Sequence, residues 1–170
     1  MSSPKVTNIG TELLCDIQGH DDFLTDITTS LSAGRMHHAW LITGPVGIGK
    51  ASMARLAAAR LLSEKAHSGA LFEMEDPNLK IDSEDAGTRL VMRGVHPDFK
   101  IIFPQTENNK SGQIKIDQIR ELLPFMMHKP ARGGWRVAII DSMDDVNRSG
   151  ANALLKLLEE PPERAVLFLI

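Results

Sequence analysis

The stretch Gly44-Pro45-Val46-Gly47-Ile48-Gly49-Lys50-Ala51 fits the phosphate-loop pattern G-x-x-x-x-G-K-[ST] at Gly44, Gly49 and Lys50 and departs from it at Ala51. Glycines let a backbone wrap closely around a phosphate, so that successive N–H groups and a helix N-terminus point at the anion. Lys50 would neutralise the β- and γ-phosphates, and a hydroxyl at position 51 would have held Mg²⁺. The loop thus names a fold and signals that its usual chemistry is impaired.

The surroundings are those the loop needs. Ala39-Trp40-Leu41-Ile42-Thr43 is a short apolar run that reads as a buried strand leading into it. Lys50 to Leu62 then reads as a helix, with Met53, Leu56, Ala57 and Leu61 on one stripe. An ordinary glycine turn between a strand and a helix is the plainer alternative, and the strand–loop–helix setting argues against it.

Composition excludes several classes. A chain of 170 residues fits one domain with a proper core. Its net charge of −3 gives no argument for broad binding to nucleic acid or membrane. No apolar run reaches the roughly 20 residues of a membrane span, and the N-terminus lacks a secretory core. The single cysteine, Cys15, excludes an internal disulfide and a multi-cysteine zinc site. A reducing cytoplasm fits this usage. The six histidines show no ligand spacing and read as surface or capping residues.

Along the chain, helices and strands alternate. Residues 1–20 read as an irregular lead-in, and Asp21 to Arg35 as an amphipathic helix with Phe23, Leu24, Ile27 and Leu31 inward. Ser63 to Lys80 is polar and reads as a surface insertion, and Ser83-Glu84-Asp85 opens a short helix ended by Gly94. Phe99 to Phe103 is a strand, followed by a polar loop from Gln105 to Gln113. Ile116, Ile119, Leu122, Leu123 and Met126 follow helical spacing, with Pro124 expected to bend or shorten that helix. Trp135 to Asp141 is a buried strand ending in an acid. Asn147 or Ser149 caps a helix that Pro161-Pro162 stops, and Ala165 to Ile170 is a last strand. The pattern predicts a three-layer α/β phosphate-loop NTPase domain, with a mainly parallel sheet and its ligand at the carboxyl edge. A chain stopping on a central strand reads as a piece of a longer protein, cut before the last sheet elements.

Val137-Ala138-Ile139-Ile140-Asp141 supplies the second half of such a site, an acid at a strand tip that contacts Mg²⁺. The water-activating carboxylate that often follows it is replaced by Ser142, which is no general base at neutral pH. Asp144 and Asp145 are displaced along a turn and expected to aim elsewhere. A buried strand followed by a solvated acidic turn accounts for the same residues. Ser52 does not replace the missing hydroxyl, because the next helical position is rotated by about 100°. The candidate nucleotide contacts are therefore Gly44, Pro45, Gly47, Ile48, Gly49, Lys50, Ala51, Ser52 and Asp141, a degenerate set with no catalytic residue and no metal ligand assigned. No cofactor is required by this reading. ATP or ADP can still bind through Lys50 and the loop amides, with the Mg²⁺ half of the site undercut.

The segment Asn152-Ala153-Leu154-Leu155-Lys156-Leu157-Leu158-Glu159-Glu160-Pro161-Pro162 resembles the N-A-L-L-K-x-L-E-E-P-P stretch of bacterial clamp-loader subunits of the AAA+ ATPase class. With His37-His38-Ala39-Trp40-Leu41 before the loop and the altered strand tip, the chain is most similar to the delta prime branch of the DNA polymerase III clamp loader. By itself the segment reads as a core helix, with Leu154, Leu155 and Leu158 as its stripe and Lys156 pairing with Glu159 or Glu160. The resemblance covers about Gly19 to Ile170 and implies a ring that places the sliding clamp on primed DNA. Its partners would be the delta and tau/gamma subunits, with no membrane. It also implies a comparatively rigid subunit without competent ATP chemistry, which Ala51 and Ser142 suit. The helical lid, the collar and an arginine-finger motif would lie beyond Ile170. The four-cysteine zinc module of many relatives is absent from the 63–95 insertion.

Two rival readings stay open from sequence: a hydrolysing tau/gamma-type subunit, and a stand-alone phosphate-loop kinase using Asp141 and Asp144. Lys110, Lys115, Arg120, Lys129 and Arg132 can face DNA phosphates, but a solvated face explains them equally.

Overall fold

The sheet is built from the two most apolar runs of the chain. In the computed structural model, which describes residues 21–64, 82–105 and 112–170, Arg136–Ile140 (β3) and Ala165–Leu169 (β4) lie side by side with all of their residues buried. Ala39–Leu41 (β1) pairs with the outer side of β4, and Phe99–Ile102 (β2) with the outer side of β3. The order β1-β4-β3-β2 is parallel throughout. Both faces of such a sheet must be covered, which is why β3 and β4 read as continuous apolar runs.

Alternation along the strands assigns the faces. Val137, Ile139, Val166 and Phe168 point to one side and pack with Ile27 of helix α1 (Asp21–Ser32), with Ala54, Ala57, Ala58 and Leu61 of α2 (Lys50–Leu61), and with Val91 and Met92 of α3 (Ala86–Met92). Ala138, Ile140, Leu167 and Leu169 point to the other and meet Ile119, Leu122 and Met126 of α4 (Ile116–Met127) and Leu154 and Leu157 of α5 (Arg148–Glu159). The result is the predicted three-layer α/β arrangement.

Several local readings change. The first strand is shorter than expected and lies at the sheet edge, half-buried rather than buried, with Leu41 exposed. Helix α2 is buried nearly all round from Met53 to Ala59, because α1 covers Met53 and Leu56 while the sheet and α3 take its other sides. Pro124 neither ends nor shortens α4, which continues through Met127. In α5 the buried pair is Leu154 and Leu157 with Leu158 packed beside them, against α4 and the sheet, and Leu155 is 49% exposed. Lys156 forms no ion pair with Glu159 or Glu160 among the described residues. His37, His38 and His128 are exposed, as expected, but His96 is buried and its Nδ1 accepts the Asp98 N–H at 3.1 Å. His20, His67, Cys15, the 1–20 lead-in and Lys110 lie outside the described residues. So do residues 65–81 of the polar insertion and 106–111 of the later loop.

Caps fix the helix starts. Asn147, not Ser149, caps α5 by accepting the Gly150 N–H at 2.8 Å. Asp85 caps α3 through Thr88 N–H at 2.8 Å and also accepts Glu64 N–H at 2.9 Å, which joins the end of α2 to the start of α3. The two helices approach so closely that a Cβ at Gly87 would stand 2.1 Å from the Leu62 carbonyl oxygen. Gln118 accepts Lys115 N–H and donates to Phe103 O, holding the start of α4 against the end of β2.

One buried ion pair organises the opposite, amino edge of the sheet. Arg136 Nη2 lies 2.8 Å from Asp98 Oδ1, with side chains 9% and 1% exposed. Arg136 also donates to the carbonyls of Phe125 and Lys129, while Asp98 accepts the N–H groups of Ala131 and Arg132. Two charges withdrawn from water are tolerable only with this many partners, and removing one strands the other. Asp98→Ala is therefore expected to destabilise the fold by about 3–5 kcal/mol in chemical denaturation. A loss below about 1 kcal/mol, the scale of a surface pair, would contradict the arrangement.

Candidate functional site

At the carboxyl edge the chain leaves β1 and folds into the glycine loop. Gly44, Gly47 and Gly49 take φ values of 147°, 85° and 99°. A Cβ at Gly47 or Gly49 would meet nothing within 4 Å, so glycine is needed there for backbone conformation and not for room. Gly49 is the N-cap of α2, and Met53 N–H bonds to its carbonyl at 2.9 Å. No acidic residue stands in the first turn of α2, which leaves the positive end of the helix facing the loop unopposed. Lys50 Nζ donates to the carbonyls of Gly44 and Pro45 at 2.7 and 2.9 Å, closing the loop on itself.

The strand tips complete a cleft of about 640 Å³. Gly44, Gly47, Gly49, Lys50, Ala51 and Ser52 form one wall, and Asp141 to Asp145 the other. Leu41, Ile42 and Thr43 of the entering chain and Ile170 close the end between them. Hydrogen bonds from Asp141 N–H to Ile102 O, Ile170 N–H to Ile140 O, and Ile42 N–H to Leu169 O set the tips in register. Of the sequence candidates, Pro45 contributes its carbonyl to Lys50 rather than a wall, and Ile48 is 49% exposed.

Asp144 and Asp145 do not point away from the cleft, as their displacement in sequence suggested; both line it. The short 3₁₀ turn Met143–Asp145 folds them back, and Ser142 Oγ donates to Asp145 Oδ2 at 3.2 Å. The residue that sequence reasoning passed over is Arg55. It is 7% exposed, with its guanidinium carbon 5.7 Å from the centroid of the Phe103 ring. Its signal was a charge in the otherwise small and apolar run Met53 to Ala59.

Electrostatics set the two halves of the cleft apart. Burial raises the Asp141 carboxyl above the ordinary carboxylate range, against the pull of Arg55 and Lys50 and with the help of Asp145. Burial likewise lowers the Arg55 guanidinium, with Asp141 opposing. The phosphate half fits an anion: turned-in glycines, a free helix end and a lysine. The metal half does not fit Mg²⁺. Position 51 offers a methyl group, and Asp145 is engaged by Ser142. Among the described residues no group of three or more His, Cys, Asp or Glu is arranged to hold a metal, and no helix is long and apolar enough to cross a membrane.

Comparison with known proteins places the chain in a family. A family model described as DNA polymerase III, delta subunit, matches residues 19–170. The tau subunit of DNA polymerase III from Escherichia coli K12 is 34% identical over 159 residues, covering 94% of this chain and 22% of tau. The delta prime subunit from Pseudomonas aeruginosa is 36% identical over 134 residues, covering 78% of this chain and 37% of that subunit. A crystal structure of a gamma subunit-related protein from Thermotoga maritima superposes with a TM-score of 0.50 at 22% identity over 89% of this chain and 38% of that one, a likeness of fold. The chain thus spans between 22% and 37% of the length of these curated relatives, whose subunit names differ. With 152 consecutive positions from 19 to 170 matched, the chain belongs to the family of the DNA polymerase III delta subunit.

Proposed function

We propose that this chain is the phosphate-loop domain of a clamp-loader subunit of the delta prime kind, which serves the assembly as scaffold while neighbouring subunits hydrolyse ATP. The observation that carries this reading is the presence of Ala51 and Ser142 together in the lining of a cleft that also holds the glycine loop and Lys50. A hydroxyl to hold Mg²⁺ and a carboxylate to activate water are the two parts that hydrolysis adds to binding. Both positions are filled by other residues. Partners on this reading are the delta and tau/gamma subunits, and through them the sliding clamp and primed DNA in the cytoplasm.

The tau/gamma-type alternative, with Ser52 or a water in place of the missing hydroxyl, has in its favour the likeness to a tau subunit and the presence of Ser52, Asp144 and Asp145 on the cleft wall. Their placement opposes it: Asp145 is bonded to Ser142, and Asp144 sits on a turn and not at the strand tip. A stand-alone kinase is opposed by the family match.

Ala51→Thr is expected to make nucleotide binding Mg²⁺-dependent, tightening Mg·ATP by about tenfold in calorimetric titration. No gain would mean that the defect lies elsewhere in the cleft. Mixed with purified delta and tau/gamma, the full-length protein should elute with them in gel filtration as a single complex. Separate elution at micromolar concentration would contradict the assignment.

A further inference from the structure

Arg55 is buried and does not itself line the cleft, but its charge bears on Asp141, which does. Arg55 lies five residues beyond Lys50 on α2, roughly 7.5 Å along the helix axis. Its guanidinium is held over Phe103, the residue that follows β2. The last residue of β2, Ile102, accepts the Asp141 N–H at 3.0 Å, so the ring that seats the guanidinium and the strand-tip acid are neighbours on the same sheet edge.

The contrast with the other buried arginine is informative. Arg136 donates from its terminal nitrogens to a carboxylate and two carbonyls, although its Nε, like that of Arg55, is buried without a partner. Arg55, by contrast, has no ion pair within hydrogen-bonding reach among the described residues. A buried charge so sparsely bonded is costly to keep. Its remaining partners are the Phe103 ring and the longer-range attraction of Asp141. A cation at that place does two things by Coulomb's law. It offsets Asp141, whose negative charge would otherwise repel phosphate. It also repels a divalent cation, which position 51 no longer has a hydroxyl to hold.

We propose that Arg55 supplies the positive charge that a divalent cation supplies at a competent strand tip, so that the cleft takes the phosphates of a nucleoside di- or triphosphate without metal. This rests on reading the cleft as a nucleotide site and deepens that reading. Arg55 acts through Asp141 and the field in the cleft, as a positioning residue.

The test is calorimetric titration of ADP and ATP into the full-length protein, in EDTA and in excess Mg²⁺. Affinities within about threefold in the two buffers are expected, and wild-type binding tighter by about tenfold or more in Mg²⁺ overturns the proposal without touching the nucleotide reading. Arg55→Met should weaken binding in EDTA by about tenfold and make it respond to Mg²⁺, with Arg55→Lys recovering most of the loss. An Arg55→Met protein of native circular dichroism that binds as well as wild type in EDTA also overturns it. If neither nucleotide binds in either buffer and Lys50→Ala is indistinguishable from wild type, the nucleotide reading itself falls, and this inference with it.

Discussion

Strands β3 and β4 expose none of their residues appreciably, and this two-sided burial constrains everything else in the molecule. Each strand must be covered above and below, so the chain supplies α1, α2 and α3 to one face and α4 and α5 to the other. Parallel pairing then brings the carboxyl ends of all four strands to one edge. The glycine loop, Asp141 and the Met143–Asp145 turn meet there because the sheet leaves them no other place. At the amino edge the Asp98–Arg136 pair and its backbone partners gather the end of α4, the following turn and the start of β3. The domain is closed at one edge by a buried ion pair with four backbone partners and open at the other, where the buried Arg55 has no ion pair among the described residues.

Much of this was legible in the sequence, for physical reasons. Apolar runs such as Val137 to Ile140 and Val166 to Leu169 have only one stable use in an alternating α/β chain, a sheet buried on both faces. The glycines at 44, 47 and 49 carry their backbone requirement in their identity. What stayed hidden depended on tertiary neighbours. Leu155 and Leu157 differ in burial because of the direction from which α4 approaches, which no periodicity in α5 alone reveals. Pro124 looked like a helix end, yet α4 continues past it and buries Met126 against the sheet. Asp144 and Asp145 line the cleft because a 3₁₀ turn reverses the chain, a conformation that short polar turns do not announce. Arg55 and Arg136 carry no sign in the sequence of what they are buried against, Phe103 for the first and Asp98 for the second.

On the proposed reading, the cleft retains what binds an anion and lacks what activates water. The two functions are separable because different residues perform them: the loop backbone, Lys50 and the start of α2 for the phosphates, position 51 and the strand-tip acids for the metal and the nucleophile. Losing the second set costs nothing in the fold, since Ala51 and Ser142 sit on the cleft wall and not in the core. On that reading, a subunit keeps this domain as scaffold while neighbouring subunits carry the chemistry.

The most direct test of that separation is the ATP turnover of an assembly reconstituted from the full-length protein, delta and tau/gamma, measured with wild-type protein and with Lys50→Ala. The account predicts equal turnover, because no hydrolysis takes place in this cleft. A fall equivalent to the loss of one working site would contradict it.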